Sequence, residues 1–295
     1  MPGKEADAPD APSKPYVIEW PKYEPLEEWL RTQPTDKWKE NFDNDGFLIV
    51  HNLINDECVN IYKDLYMKLL SGEINTDPHR QDLGWYNPQK NKNQENICQI
   101  MWPSLYIPTL MEGPLHERVS AINKIIVGPD AVFDFDMLIA KGPNTDTSTP
   151  WHQDESYWPD MPDKRTATCW VALDNATVDN GCMWFVPGSH KKPLREHRSA
   201  AKGAHILQCD CTEEEGVPQP LPPGSCSFHT GRTLHYTRGN TTDNLRRAYI
   251  TNYRPAAMVE WEREHNFSHG KPGVDTTKRS DNVTIVRRHL SDQNQ

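Results

Sequence analysis

Phe133-Asp134-Phe135-Asp136-Met137-Leu138-Ile139 marks the point where the period of the chain changes. Phe133, Phe135, Met137 and Ile139 alternate with Asp134, Asp136 and Leu138, the two-residue repeat of a half-buried strand. Beyond it, short apolar runs recur at 166–173, 183–186, 225–228 and 248–253. Turn clusters separate them, at 175–181, Pro187-Gly188-Ser189, Pro222-Pro223-Gly224 and 239–244. Before it, the period is helical. Leu115, Val119, Ile122 and Ile126 share one face after Pro114, and Gly128-Pro129 ends that helix. Asn55 or Asp56 caps an earlier helix whose apolar face is Cys58, Ile61/Tyr62, Leu65 and Leu69, closed by Gly72. Phe47 to Val50, following Asp45-Gly46, reads as a short strand after a turn. Short strands punctuated by Gly, Pro and Asn, after an N-terminal pair of helices, predict a mainly β protein. Its core is a jelly roll with the helices packed outside.

The 295 residues include 25 prolines and carry a formal net charge of −10. That balance, with no basic run, argues against nucleic acid or an anionic membrane as the main partner. No stretch approaches the roughly 18 consecutive apolar residues of a membrane span. Residues 1–15, rich in Ala, Pro, Asp and Lys, are expected to be a disordered tail, and 16–295 a single domain. The tail has no apolar core of a secretory signal, and Ser291-Asp-Gln-Asn-Gln295 is no peroxisomal address. Seven cysteines, an odd number without framework spacing, fit reduced thiols in a cytoplasmic protein. Cys209 and Cys211 form an isolated C-x-C, too little for a zinc site.

Twelve histidines give many starting points, so spacing has to select among them. In extended chain, residues i and i+2 face the same way, so His152 and Asp154 can converge on one ion. A third ligand must come from elsewhere, with His235 the first candidate and His229 the second. Two histidines and one carboxylate form the facial triad of non-haem Fe(II) oxygenases, which leaves three positions open for a bidentate co-substrate and O2.

Several blocks follow in order: His152-Gln-Asp154, Trp170-Val-Ala-Leu-Asp174 and Asn180-Gly-Cys-Met-Trp-Phe-Val-Pro-Gly-Ser-His190. After them come Gly224-Ser-Cys-Ser-Phe228, Leu234-His235 and Asn240 to Arg246-Arg-Ala248. Together they resemble the phytanoyl-CoA dioxygenase family of Fe(II)/2-oxoglutarate oxygenases over roughly residues 43 to 255. The resemblance implies a double-stranded β-helix, the cupin-like form of the jelly roll. It implies His152, Asp154 and His235 as iron ligands and Arg246 as the anchor for the far carboxylate of 2-oxoglutarate. A guanidinium fork suits that task through two parallel charge-assisted hydrogen bonds. The eleven residues from His235 to Arg246 allow a strand, a turn and a return strand, which favours His235 over His229. The family pattern further implies Thr237, Trp170 and Gln99 as co-substrate contacts. Arg247 competes as anchor, though a strand would point it to the opposite face.

The implied reaction oxidises an unactivated C–H bond of a small molecule, most simply by hydroxylation, while 2-oxoglutarate and O2 yield succinate and CO2. Halogenating relatives usually replace the carboxylate ligand with Gly or Ala, so the presence of Asp154 disfavours halogenation. The acidic balance and the C-terminus weigh against an acyl-CoA substrate and toward a small metabolite or natural-product intermediate. Fatty acyl-CoA 2-hydroxylation remains the alternative within the family, with Lys90, Lys92, Lys191 and Lys192 as the available basic rim. Two readings of another class stand beside these: a non-catalytic metal-binding jelly roll serving as sensor or scaffold, and a cupin-type metalloenzyme that uses no 2-oxoglutarate. His190 reads as a turn residue; Tyr157, Trp158, Trp102 and Tyr106 are candidates to line a substrate pocket, with packing the commoner role of aromatics near motifs. Oligomeric state is not legible.

Overall fold

The computed structural model describes residues 16–84, 95–201 and 206–270. The tail expected at 1–15, and the lysines at 90 and 92, lie outside them. Two antiparallel sheets form the body. The larger orders its seven strands as β1 (Phe47–Val50), β11 (Cys226–His229), β6 (Ala167–Ala172), β13 (Arg246–Pro255), β4 (Ala131–Lys141), β3 (Ile97–Met101) and β2 (Arg80–Asp82). The smaller has β10 (Val217–Gln219), β7 (Met183–Phe185), β12 (His235–Thr237) and β5 (Thr149–His152). A short pair, β8 (Arg198–Ser199) and β9 (Leu207–Gln208), forms a third sheet beside β5. The strand order jumps across the chain, as expected for a jelly roll.

Strand parity divides the core in two. Trp170, Ala172, Ala248, Ile250, Met183 and Phe185 pack between the sheets. Residues one position away, including Cys169, Val171, Tyr249 and Leu138, pack against the helices on the outer face of the larger sheet. These helices are α1 (Leu26–Arg31), α2 (Thr35–Asp45), α3 (Asp56–Leu70), α4 (Pro103–Tyr106) and α5 (Pro114–Ile126), while α6 (Ala256–Glu264) follows β13 and buries Glu262 against Arg254. The sequence signals for α3 and α5 hold. The Asn55 side chain accepts from the Cys58 amide at 2.9 Å, and Leu115, Val119, Ile122 and Ile126 are all buried. Gly46 ends α2 in the left-handed region, φ 80°, which lets the chain turn directly into β1.

The seven-residue alternation that opened the reading needs a correction. It does lie in β4, but its aspartates do not face water: Asp134 and Asp136 are buried. With both faces of β4 covered, Met137 and Ile139 turn between the sheets and Leu138 to the helices. A register shift between Asn252 and Tyr253 puts Phe133 on the helix side as well, and each carboxylate has partners. Asp136 accepts from the Tyr249 hydroxyl at 2.6 Å and from Ser104, and burial raises it to about 6. The route from His235 to Arg246 also differs from a hairpin: β12 belongs to the smaller sheet and β13 to the larger. The chain crosses between sheets there, so the two residues face each other across the core. No helix of the described residues is long and apolar enough to cross a membrane.

Candidate metal and co-substrate site

β5 ends at His152, and Asp154 opens the single 3-10 turn that follows. His235 opens β12, and the antiparallel register sets it opposite His152. The two imidazole centroids are 4.1 Å apart. One ligand atom from each of His152, Asp154 and His235 lies within 4.8 Å of the others. Asp154 Oδ1 stands 3.5 Å from Nε2 of both histidines.

The backbone decides which nitrogen of each ring is available. His152 Nδ1 meets the Pro150 carbonyl at 2.7 Å, and His235 Nδ1 meets the Thr233 carbonyl at 2.9 Å. A carbonyl only accepts, so each Nδ1 carries the proton and each Nε2 turns a lone pair inward. Burial, and then the neighbouring His235, lowers the His152 pKa and keeps the ring neutral. Burial by itself would raise Asp154, but the histidines around it, His235 foremost, hold its carboxyl well below the usual range. Two imidazole Nε2 atoms and one carboxylate oxygen that converge from three side chains fit a divalent cation such as Fe(II).

Arg246 approaches from the other sheet. It opens β13, is fully buried, and its Nε and Nη1 have no hydrogen-bond partner among the described residues. Its guanidinium carbon lies 5.2 Å from the centre of the Trp170 ring. Burial lowers the guanidinium to about 10, so it remains a cation at neutral pH. Buried charged donors without partners are costly, and an anion arriving beside them removes that cost. The Thr237 hydroxyl is also buried and unpartnered among the described residues. His152, Asp154, His235, Trp170, Thr237 and Arg246 all line one cavity of about 90 Å³.

Other sequence candidates take different places. Arg247 points away, as strand parity requires, and binds Asp174 through Nε and Nη2 at 2.8 Å each. His229 is a hydrogen-bonded neighbour, with Nε2 3.3 Å from Asp154 Oδ2. Gln99 is not brought into the cavity. Its amide nitrogen meets Met137 Sδ at 3.2 Å, and it lines an adjoining cavity of about 420 Å³ with His79, Gln81, Met101, Tyr157 and His269. Its link to the site runs through Met137, which lines both the triad cavity and the contact. His190 bonds the Asp43 carbonyl at 3.1 Å beside its turn.

Three features escaped the sequence reading. Thr168 donates to Asp154 Oδ2 at 3.2 Å, and its position two residues before Trp170 on β6 was the available signal. Lys141, buried opposite Arg246, gives its ammonium to the Thr147 and Arg238 carbonyls at 2.7 Å each. Burial and then the Arg246 charge push its pKa well down. A second cluster, Asp134, Glu262 and His269, also brings ligand-type atoms within 4.8 Å. Only folding joins β4 to α6 and the turn after it, so no local motif announces it.

Residues 42–248 match the family described as phytanoyl-CoA dioxygenase (PhyH). Over 136 residues the chain is 29% identical to phytanoyl-CoA dioxygenase domain-containing protein 1 of Bos taurus, covering 44% of this chain and 47% of that protein. Over 272 residues it is 22% identical to the Caenorhabditis briggsae homolog of that protein, covering 77% and 93%. The match therefore spans about half the length of the bovine relative and nearly all of the nematode one. Among solved structures, EvdO2 from Micromonospora carbonacea var. aurantiaca complexed with 2-oxoglutarate gives a TM-score of 0.61 at 28% identity, over 75% of this chain and 90% of that one. The epimerase SnoN, in complex with Fe3+, alpha ketoglutarate and nogalamycin RO, shares the fold. Its TM-score is 0.62 at 24% identity, over 75% and 84%.

Proposed function

We propose, from the premise that the chain belongs to the phytanoyl-CoA dioxygenase family, that it oxidises an unactivated C–H bond of a small molecule, by hydroxylation in the simplest case. Its cofactor is Fe(II), and 2-oxoglutarate and O2 are its co-substrates. When bound, the iron couples oxidative decarboxylation of 2-oxoglutarate, to succinate and CO2, to oxidation of the substrate C–H bond. The residues of the chain have separate tasks in this reading. His152, Asp154 and His235 hold the ion from one side, with the Pro150 and Thr233 carbonyls setting the two rings. Arg246 takes the far carboxylate of 2-oxoglutarate, Thr237 offers its hydroxyl beside it, and Trp170 covers the guanidinium. Met137, Ile139, Met183 and Ile250 keep the lining apolar, which excludes water and strengthens each charged contact.

The observation that carries this reading is the unpartnered Arg246 guanidinium, buried in the same cavity as the His152, Asp154 and His235 donors. A scaffold or a metalloenzyme without 2-oxoglutarate would leave that charge unanswered. For the substrate, a small metabolite or natural-product intermediate is supported by the net charge of −10 and by the adjoining cavity. In that cavity wall Arg80 is already paired with Glu95 at 2.7 Å and His269 with Asp134 at 3.1 Å, so neither is available for phosphates. Lys191 belongs to a different cavity, which shares no residue with the triad. A cytoplasmic location belongs to the same reading and is supported by seven free thiols.

Anaerobic addition of 2-oxoglutarate to the Fe(II) protein should give a weak visible charge-transfer band, and succinate release should rise with the right substrate. A panel of small metabolites and long-chain acyl-CoA thioesters, scored by succinate, separates the two substrate classes. Metal binding without either signal would favour the scaffold. Metal-dependent turnover without succinate would favour the cupin-type enzyme.

A further inference from the structure

The two oxygens of Asp154 have different surroundings. Oδ1 faces Nε2 of His152 and His235 at 3.5 Å each, the side on which the ion is held in the reading above. Oδ2 turns the other way and meets two donors, His229 Nε2 at 3.3 Å and Thr168 Oγ1 at 3.2 Å. These donors share one rung of the larger sheet. His229 is the register partner of Thr168 between β11 and β6, and Thr168 is the partner of Asn252 on β13.

The rung also orients the donors. Asn252 Nδ2 donates to Thr168 Oγ1 at 2.9 Å, which leaves the threonine proton to point at Asp154. Asn252 Oδ1 lies 3.3 Å from the Thr166 hydroxyl, which it shares with the Tyr253 carbonyl at 3.0 Å. His229 is buried, and its Nδ1 has no partner among the described residues. The tautomer protonated at Nε2 is therefore favoured, because it gives the proton to a carboxylate and leaves no buried N–H unmet.

We infer that His229 and Thr168 are positioning residues that hold Asp154 as a one-oxygen donor, by occupying Oδ2. This rests on the reading of His152, Asp154 and His235 as metal ligands. A carboxylate free to offer both oxygens would take a position that 2-oxoglutarate or O2 needs. Neighbours that orient a ligand in this way typically affect metal affinity by about 10–100-fold.

The test titrates metal-stripped protein with Co(II), followed by its visible absorption, and then adds 2-oxoglutarate to the Co(II) form. His229→Leu and Thr168→Val should each weaken Co(II) by about tenfold or more and alter the Co(II) band shape. His229→Gln, whose amide nitrogen can stand near the position of Nε2, should restore the band shape and stay within about threefold of wild type. More 2-oxoglutarate should be needed to saturate the spectral change in the Leu and Val variants. Equal losses for His229→Leu and His229→Gln would overturn the inference. So would wild-type Co(II) spectra and affinity in folded His229→Leu and Thr168→Val proteins. Should His229→Leu fail to fold, the near-isosteric Thr168→Val carries the test. Failure of the underlying ligand reading looks different: Co(II) would bind Asp154→Ala as tightly as it binds wild type.

Discussion

Among the described residues, two clusters bring carboxylate and imidazole atoms within 4.8 Å of one another, and their neighbours give them opposite characters. Around Asp154, His152 and His235 tie Nδ1 to backbone carbonyls and turn Nε2 inward, and Arg246 stands across the cavity with donors to spare. Around Asp134 and Glu262, two guanidinium groups are already in place. Arg254 Nε binds Asp134 at 2.7 Å, Arg263 binds both carboxylates, and His269 Nε2 lies 3.1 Å from Asp134. Burial alone would lower His269, but Asp134 and Glu262 outweigh it and raise the pKa. Burial alone would raise Asp134, and the surrounding cations, His269 and Arg254 first, hold it well below its usual range. An incoming metal would have to displace these cations. The same residue types thus make a metal-ready site in one place and a buried ionic clasp joining β4, β13 and α6 in the other. Local charge balance decides which.

The contrast breaks most directly at the two aspartates. Asp154→Ala should abolish 2-oxoglutarate turnover and weaken metal by about 100-fold or more, with a modest change in stability. Asp134→Ala should leave metal affinity near wild type and lower unfolding free energy by about 3–5 kcal/mol, because it leaves Arg254 buried without its closest partner. Metal titration beside chemical denaturation reads both, and matching profiles would erase the distinction.

Arg246→Ala comes next. The apparent 2-oxoglutarate KM should rise about 10–100-fold while metal affinity changes little, as expected on losing a charged hydrogen-bond donor. Equal effects on both quantities would mean that the guanidinium serves the triad and not the co-substrate.

A smaller effect concerns pH. His269 has a raised pKa, so its contribution to stability is complete below the ordinary histidine value of 6.5 and is lost as pH rises through the folded-state value. The stability difference between wild type and His269→Gln should shrink from about pH 6 to about pH 9 in denaturant titrations. A difference that grew over this range would contradict a protonated His269 in the clasp.

The smallest change is expected at Arg247. It is held by Asp174 on the far side of β13, where Lys63 also meets Asp174 at 3.3 Å. Arg247→Ala should leave the 2-oxoglutarate KM unchanged and cost about 1 kcal/mol of stability. A rise in KM comparable to that of Arg246→Ala would reopen the choice of anchor.

Much of the frame was legible in the residues themselves. The helices with Asn55 and Pro114 at their starts, the turn at Gly46 and the switch to short strands follow from capping, backbone freedom and periodicity, which are local. So does the parity that turns Arg246 and Arg247 to opposite faces. The resemblance to the phytanoyl-CoA dioxygenases rested on ordered blocks, and the family match covers the same stretch. Gln99 was less legible, because its distance from the cavity depends on how β3 lies beside β4 and on Met137 between them.

By itself, then, the sequence determined the alternation of elements, the chemistry available at His152, Asp154, His235 and Arg246, and the parity that aims Arg246 and Arg247 apart. Only the tertiary structure decided that His152 and His235 are register partners, that the route to Arg246 crosses between sheets, and that Asp134 and Asp136 lie inside. The physical reason is range. Propensity and periodicity act over a few residues, whereas burial and charge balance depend on which distant segments cover a strand. Around Asp154 those segments bring lone pairs and hydrogen-bond donors; around Asp134 they bring cations.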